Sequence, residues 1–440
     1  MAKVIPFKGL RYNTEKIADM EAVTSPPYDI ISSEQQQELY NQNEYNVIRI
    51  DYGMEFASDD EENNKYARSA AYLKKWIDDG ILKYDDKNAF YIYEQIFSLE
   101  SNAKPSNSLK GIISLVELKE FSEGVILPHE ETLPKAKTDR LNLIRSTHAN
   151  TSPIYSLYSD EEQELADLIN DMSDRDPDIS FTTQEDVIQN LWVVTDEEFL
   201  NKVTEFFSRK QLFIADGHHR YETALNYRAE RRAEDGSEPG SMPYDYTMMM
   251  LVSMDDSGLF VFPTHRMIKG IDNFSELMVV GMMTDQFLVS KVHFTEGDYA
   301  EIITDKLSGN VDDHLFAFYT GEEYYYLLKL KDISIMDDYV KDRSDTYKSL
   351  DVTILHKLIL EQYFGIDSEK LKEQSKVAYT RSAHELVEKV QSGEMQCGFL
   401  LGATKVSQIK NISIENEKMP QKSTYFWPKL VTGLVINKFE

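Results

Sequence analysis

The chain has 440 residues, more than one hydrophobic core usually serves, so two domains or one domain with a large appendage are expected. Hydrophobic residues make up 41%, enough for a packed interior, while a formal charge of −29 argues against a nucleic-acid partner, because phosphate backbones repel a negative surface. The single cysteine, Cys397, excludes internal disulfides and multi-cysteine zinc sites, and its apolar setting (Cys-Gly-Phe-Leu-Leu) reads as structural.

The first ten residues lack the apolar run of a signal peptide, and no stretch approaches the ~18 apolar residues of a membrane span. A cytoplasmic protein without a membrane partner is the expectation. In chain order, a β-branched run predicts a strand over 46–52, and apolar spacings of three and four predict a helix over 61–79. Strands follow over 89–98 and 109–118, a helix over 161–172, a strand over 191–195 and a helix over 197–208. A strand over 211–215 feeds a long helix over 218–234, before strands over 247–254 and 259–263. Beyond these come a helix over 299–307, strands over 315–320 and 324–330, helices over 352–363 and 383–391, and a strand over 398–401. Without strict β-α alternation, the expected class is α+β, with mixed sheets and surrounding helices. A boundary near residue 270 would divide a catalytic domain, 1–270, from a C-terminal α/β region, 271–440.

The densest chemistry lies in Asp216-Gly-His-His-Arg220. A strand, a glycine turn and a helix start point backbone N–H groups at an anion, and the helix dipole favours it. Gly217 allows close approach, Arg220 offers a two-point grip, and Asp216, His218 and His219 add titratable groups. The alternative is an Asp216 cap beside ordinary polar histidines. A second segment concentrates Lys135, Lys137, Arg140 and Arg145 in an acidic chain, with Asp139 a candidate N-cap; it suits phosphate or carboxylate, or is a charged surface helix. Further pocket candidates are Tyr28 and Asp29 after two prolines, His129 and Glu130, His265 and Arg266 at a strand exit, and Lys422 and Thr424 in a proline-bounded loop. Glu94, within an aromatic strand, is a reserve general base. No P-loop, His-Glu-x-x-His or Gly-x-Ser-x-Gly motif is present.

Over nearly its whole length the sequence resembles a widespread prokaryotic family of unknown function. Pro6-Phe-Lys-Gly-Leu-Arg11, Ser25-Pro-Pro-Tyr-Asp29, Asp216-Gly-His-His-Arg-Tyr-Glu-Thr-Ala224, Pro263-Thr-His-Arg266 and Pro420-Gln-Lys-Ser-Thr424 carry that likeness. Asp216-Gly-His-His-Arg220 is also similar to the motif of the archaeal free serine kinase, of the ParB/sulfiredoxin-like superfamily. That resemblance implies a ParB/sulfiredoxin-like core with large additions, and a nucleotide, ATP or ADP, used with Mg²⁺. The expected function is a phosphotransferase, a kinase acting on a small hydroxylated metabolite, with free L-serine the implied substrate. Asp216 would bind metal or accept a proton, and His218 and His219 would contact phosphate or relay protons. Gly217, Arg220 and the run from Lys135 to Arg145 would neutralise phosphate charge. A phosphatase acting on an ester such as phosphoserine, and a non-catalytic nucleotide-binding module, are the alternatives. Oligomeric state is left open.

Overall fold

In the computed structural model, residues 1–99, 104–132, 134–308, 313–373 and 375–439 are described. The chain forms two compact units. The first comprises Met1–Pro128, Thr132–Phe260 and Pro428–Glu440; the second comprises His129–Glu131 and Val261–Trp427.

The first unit is built on a nine-stranded sheet. Its strands are β1 (Val4–Ile5), β2 (Phe90–Phe97), β3 (Asn107–Glu117), β4 (Ile126–Leu127), β5 (Ile154–Tyr158), β6 (Ile179–Thr182), β7 (Ile188–Val194), β8 (Leu212–Asp216) and β9 (Tyr246–Ser253). They run in the order β4-β8-β5-β9-β3-β2-β7-β6, with β1 beside β3. The β8–β4 and β9–β5 pairs are parallel and the remaining pairs antiparallel, so the sheet is mixed. Alternation sorts the faces. Phe90 and Ile92 point into a core with Ile112 and Val116, while Tyr91 and Tyr93 take the opposite side, also buried.

The unit's helices include α1 (Ser33–Gln42), α2 (Ile48–Asp51), α3 (Lys65–Asp78), α4 (Pro134–Thr147), α5 (Glu164–Ser173), α6 (Glu197–Phe207) and α7 (His218–Asp235). Helix α6 shows why such segments form. The Asp196 carboxylate accepts from the Phe199 N–H at 2.9 Å, a cap that stabilises a helix by about 1 kcal/mol. Phe199, Val203, Phe206 and Phe207 then recur on one face and bury against the sheet.

Residues 46–52 depart from expectation, since the apolar run forms α2 rather than a strand. Asn46 decides this: its amide donates to the Ala22 and Thr24 carbonyls at 2.9 Å each, and its oxygen accepts from the Ile48 N–H at 3.0 Å. Those side-chain bonds turn the backbone out of an extended path. Nor does Asp139 cap a helix. Helix α4 begins at Pro134, which places Asp139 in its interior.

The second unit holds a six-stranded antiparallel sheet. Its strands are β10 (His265–Ile268), β11 (Phe287–His293), β12 (Leu315–Tyr319), β13 (Tyr324–Leu330), β14 (Val377–Thr380) and β15 (Cys397–Leu401), in the order β11-β13-β12-β15-β10-β14. Both faces are covered. Phe316, Leu328 and Phe399 join one core, whereas Ala317, Tyr325 and Leu400 join another under α8 (Tyr299–Ser308) and α9 (Ala383–Gln391). Buried Cys397 belongs to the first of these cores. The helix expected over 352–363 is present, but Leu355–Leu360 within it is a π-helix. Both units mix sheet and helix, so the fold class is α+β. Among the described residues, no helix is long and apolar enough to cross a membrane.

Candidate functional site

Strand β8 is buried through Ala215 and delivers Asp216 to a turn at Gly217, whose φ of +94° suits a residue without a Cβ. A Cβ there would lie 2.9 Å from guanidinium nitrogens of Arg220, so a larger residue would also displace that side chain. Helix α7 starts immediately after, with no side-chain cap from Gly217, and ends at Gly236, where φ is +66°.

One turn of helix brings Arg220 back onto Asp216, with Nη2 3.0 Å from Oδ2. Lys429 takes the other oxygen, Nζ to Oδ1 at 3.1 Å. Arg220 also donates through Nη1 to the Pro153 carbonyl and, at 3.2 Å, to the Ser152 hydroxyl. Its Nε is buried without a protein partner. Sequence reasoning missed Lys429, which follows Trp427-Pro428 some two hundred residues beyond the motif; the only local signal is a lysine after a proline in an acidic chain.

These cations set the local electrostatics. Burial acts to raise the Asp216 carboxyl, but Lys429 and Arg220 outweigh it and hold it well below the ordinary carboxylate range. Asp29 lies exposed at the surface, yet the surrounding protein, and then repulsion from Asp216, shift it upward against the opposing pull of Lys429 and Arg220. Two carboxylates under one pair of cations are thus driven apart, one fixed as an anion and the other readier to take a proton. Asp29 and Tyr28 sit in a short 3-10 turn, Tyr28–Ile30, set by Pro27 in an extended conformation. Burial raises the Tyr28 phenol to about 12. His219 is half-buried and desolvation lowers it, which favours a neutral imidazole. His218 is buried at the helix start.

The basic segment divides. Arg140 is buried, stacks 3.9 Å over the Tyr28 ring, and donates to the Asp51 carbonyl at 2.9 Å and to Asp139 at 2.6 Å. It reaches the Tyr28–Asp29 turn, but its donors are engaged. Lys137 pairs with Glu222 of α7 at 2.8 Å, and Glu222 also accepts from the Thr132 hydroxyl at 2.6 Å. Arg145, read as a phosphate ligand, instead forms an exposed ion pair with Glu230 at 2.5 Å. The side chain of Lys135 lies outside the described residues. Arg140 and Arg220 both border a cavity of about 40 Å³, room for water rather than a nucleotide. Glu94 is also placed elsewhere. It accepts from Ser108 at 2.8 Å and from Asn190 at 3.0 Å within the sheet, neither of which belongs to the motif.

The remaining candidates gather in the second unit. His129 Nε2 lies 3.0 Å from the Thr424 hydroxyl, and the segment bridges Glu130 to Met419. Arg266, fully buried, donates to the Lys422 carbonyl at 3.0 Å, and burial lowers it to about 10. Burial and then Arg266 lower His265 to about 3, so it is neutral; its Nδ1 accepts from the Leu401 N–H at 3.4 Å. The proline-bounded loop thus spends the Thr424 hydroxyl and the Lys422 carbonyl on the unit's own polar network.

Among the described residues, no three His, Cys, Asp or Glu side chains converge as a ready metal site. Mg²⁺ commonly uses only one or two carboxylates, with substrate phosphates and water completing its shell. Asp29 fits that requirement better than Asp216, both of whose oxygens already face cations.

Several solved structures are similar at low identity. A free serine kinase in complex with AMP is 14% identical over 71% of this chain and 86% of its own, with a TM-score of 0.33. A conserved hypothetical protein from Pyrococcus furiosus is 12% identical over 74% and 95%, at 0.34. A C-terminally truncated SbnI from Staphylococcus aureus is 10% identical over 74% and 87%, also at 0.34. These likenesses are remote. No curated protein matches the chain. The family model described as protein of unknown function (DUF1015) matches residues 4–353, and the chain belongs to that family.

Proposed function

We propose that the first unit carries a phosphotransferase centre for a small hydroxylated metabolite, free L-serine being the foremost candidate, with ATP or ADP and Mg²⁺. The observation that carries this reading is the opposed pair of carboxylates, Asp29 raised and Asp216 lowered, beside Arg220 and Lys429 at a glycine-turn helix start. Phosphoryl transfer needs an anion-holding platform and a proton acceptor for the attacking hydroxyl. The Gly217 turn, the start of α7 and the cations at Asp216 supply the first. Asp29 supplies the second, because a carboxylate with a raised pKa is the stronger base. Asp216 is better suited to hold Arg220 and Lys429 in place than to accept a proton. Neutral His219 can donate or accept at the same helix turn. When bound, Mg²⁺ would be held chiefly by nucleotide phosphates and water and would neutralise phosphate charge.

The test is incubation of the full chain with L-serine, Mg²⁺ and either ATP or ADP, following phosphoserine and free phosphate together. Asp29→Asn should lower turnover by roughly 10²–10⁴-fold. The acid limb of the wild-type profile should lie above the ordinary carboxylate range, because Asp29 must be deprotonated. Free phosphate released from added phosphoserine, without transfer to a nucleotide, would support the hydrolytic alternative. Full turnover in Asp29→Asn would sink the assignment of the base.

A further inference from the structure

The second unit contains a cavity of about 440 Å³ that no part of the proposed chemistry uses. The helical run Asp351–Phe364 forms one wall and presents Thr353, His356 and Lys357 to it. Thr353 is 1% exposed and His356 7% exposed, yet the Thr353 hydroxyl and the His356 Nε2 have no hydrogen-bond partner in the protein. Buried polar atoms are normally paired, and two orphans three residues apart on one helical face, bordering one cavity, ask for a partner that is not protein. The wall there is π-helical over Leu355–Leu360, a widening found frequently at functional sites. Burial, then Arg266 and Lys357, hold His356 neutral, so its ring offers one donor and one acceptor.

The rest of the lining narrows the ligand. Tyr347 and Tyr379 contribute aromatic wall, and the Arg343 guanidinium lies 5.0 Å over the Tyr347 ring. Three cations, Arg343, Lys357 and Lys418, border the cavity against two carboxylates, Glu131 and Glu361. Lys357 pairs with Glu361 at 2.7 Å and Arg343 lies 4.0 Å from Glu417, so a bound anion would compete with those carboxylates. Arg343 and Lys357 remain 44% and 35% exposed, so they stand at a solvent-reachable part of the wall.

We infer that this cavity binds a small ring-bearing anion, its charge at Arg343 and Lys357, its ring along Tyr347 and Tyr379, and a polar ring substituent at Thr353 and His356. Nucleoside monophosphates and aromatic carboxylates share that chemistry. The inference does not depend on the activity proposed for the first unit.

Isothermal titration of the full chain with AMP, 4-hydroxybenzoate and inorganic phosphate tests it. At least one of the ring-bearing anions should bind, and should do so more tightly than phosphate. AMP alone would assign the site to nucleoside phosphates, and 4-hydroxybenzoate alone to aromatic carboxylates. The charge-reversed pair Arg343→Glu with Lys357→Glu should weaken that binding at least tenfold. Thr353→Val, which removes an orphan hydroxyl at nearly constant volume, should weaken it several-fold without lowering the melting temperature. Arg220→Lys, a change in the first unit, should leave unchanged the binding that the charge-reversed pair removes. Failure of both ring-bearing probes to bind, phosphate binding as tightly as either, or loss of binding in Arg220→Lys but not in the charge-reversed pair would each overturn the inference.

Discussion

Asp139 shows how a residue inside a network differs from the helix cap it resembles in sequence. It accepts from the Tyr66 hydroxyl at 3.0 Å and pairs with Lys65 at 2.7 Å and Arg140 at 2.6 Å. Burial acts to raise its carboxyl, but Arg140 and Lys65 prevail and hold it at about 2. A carboxyl lowered on folding stabilises the native state above its unfolded pKa, about 3.9, and that stability is lost as pH falls through the folded value. Asp139→Asn should therefore cost on the order of 2 kcal/mol at pH 7. The difference from wild type should shrink between about pH 4 and pH 2, as read from urea unfolding at both pH values. A cost that is unchanged at pH 2 would show that the charge is not its source.

At the scale of elements, α2 and α4 are joined through one buried group. The Asp51 carboxylate, 2% exposed, accepts from the Thr151 hydroxyl at 2.5 Å and faces Arg140 at 3.4 Å. Removing one partner of a buried ion pair leaves the other uncompensated, a loss of about 3–5 kcal/mol. Asp51→Ala should fall at the low end, because Asp139 still faces Arg140, and a shift in the urea midpoint measures it. The same network steadies the ring of Tyr28 beneath Arg140, and with it the turn that bears Asp29. The exposed pair between α4 and α7, Arg145 with Glu230, has no comparable consequence, since solvent screens it.

At the scale of the whole molecule, the last segment matters more than its length suggests. Pro428–Glu440 returns to the first unit, where Leu430, Val431, Leu434, Val435, Ile436 and Phe439 are all buried. It bonds back to the start of the chain, with Leu10 N–H to the Ile436 carbonyl at 2.9 Å and Thr432 N–H to the Ser25 carbonyl at 2.8 Å. Burial of that much apolar surface contributes on the order of 10 kcal/mol, comparable with the ~5–15 kcal/mol stability of a typical domain. A chain ending at residue 427 should therefore lose cooperative unfolding of the first unit, as followed by thermal circular dichroism and limited proteolysis. A melting temperature within a few degrees of full length would refute this. Periodicity alone located most of the large elements, β2, β3, β9, α6 and α7 among them, because alternation and the 3.6-residue repeat are local consequences of facing a core. The strand-turn-helix at Asp216–Gly217 was equally legible, since a glycine at positive φ between an apolar run and an amphipathic helix leaves its mark in adjacent residues. Only the tertiary structure decided that 48–51 is helical, that Arg145 faces Glu230, and that Lys429 closes on Asp216. Those outcomes depend on hydrogen bonds and ion pairs between residues far apart in the chain, and charge attraction at 3 Å leaves no periodic trace in the sequence.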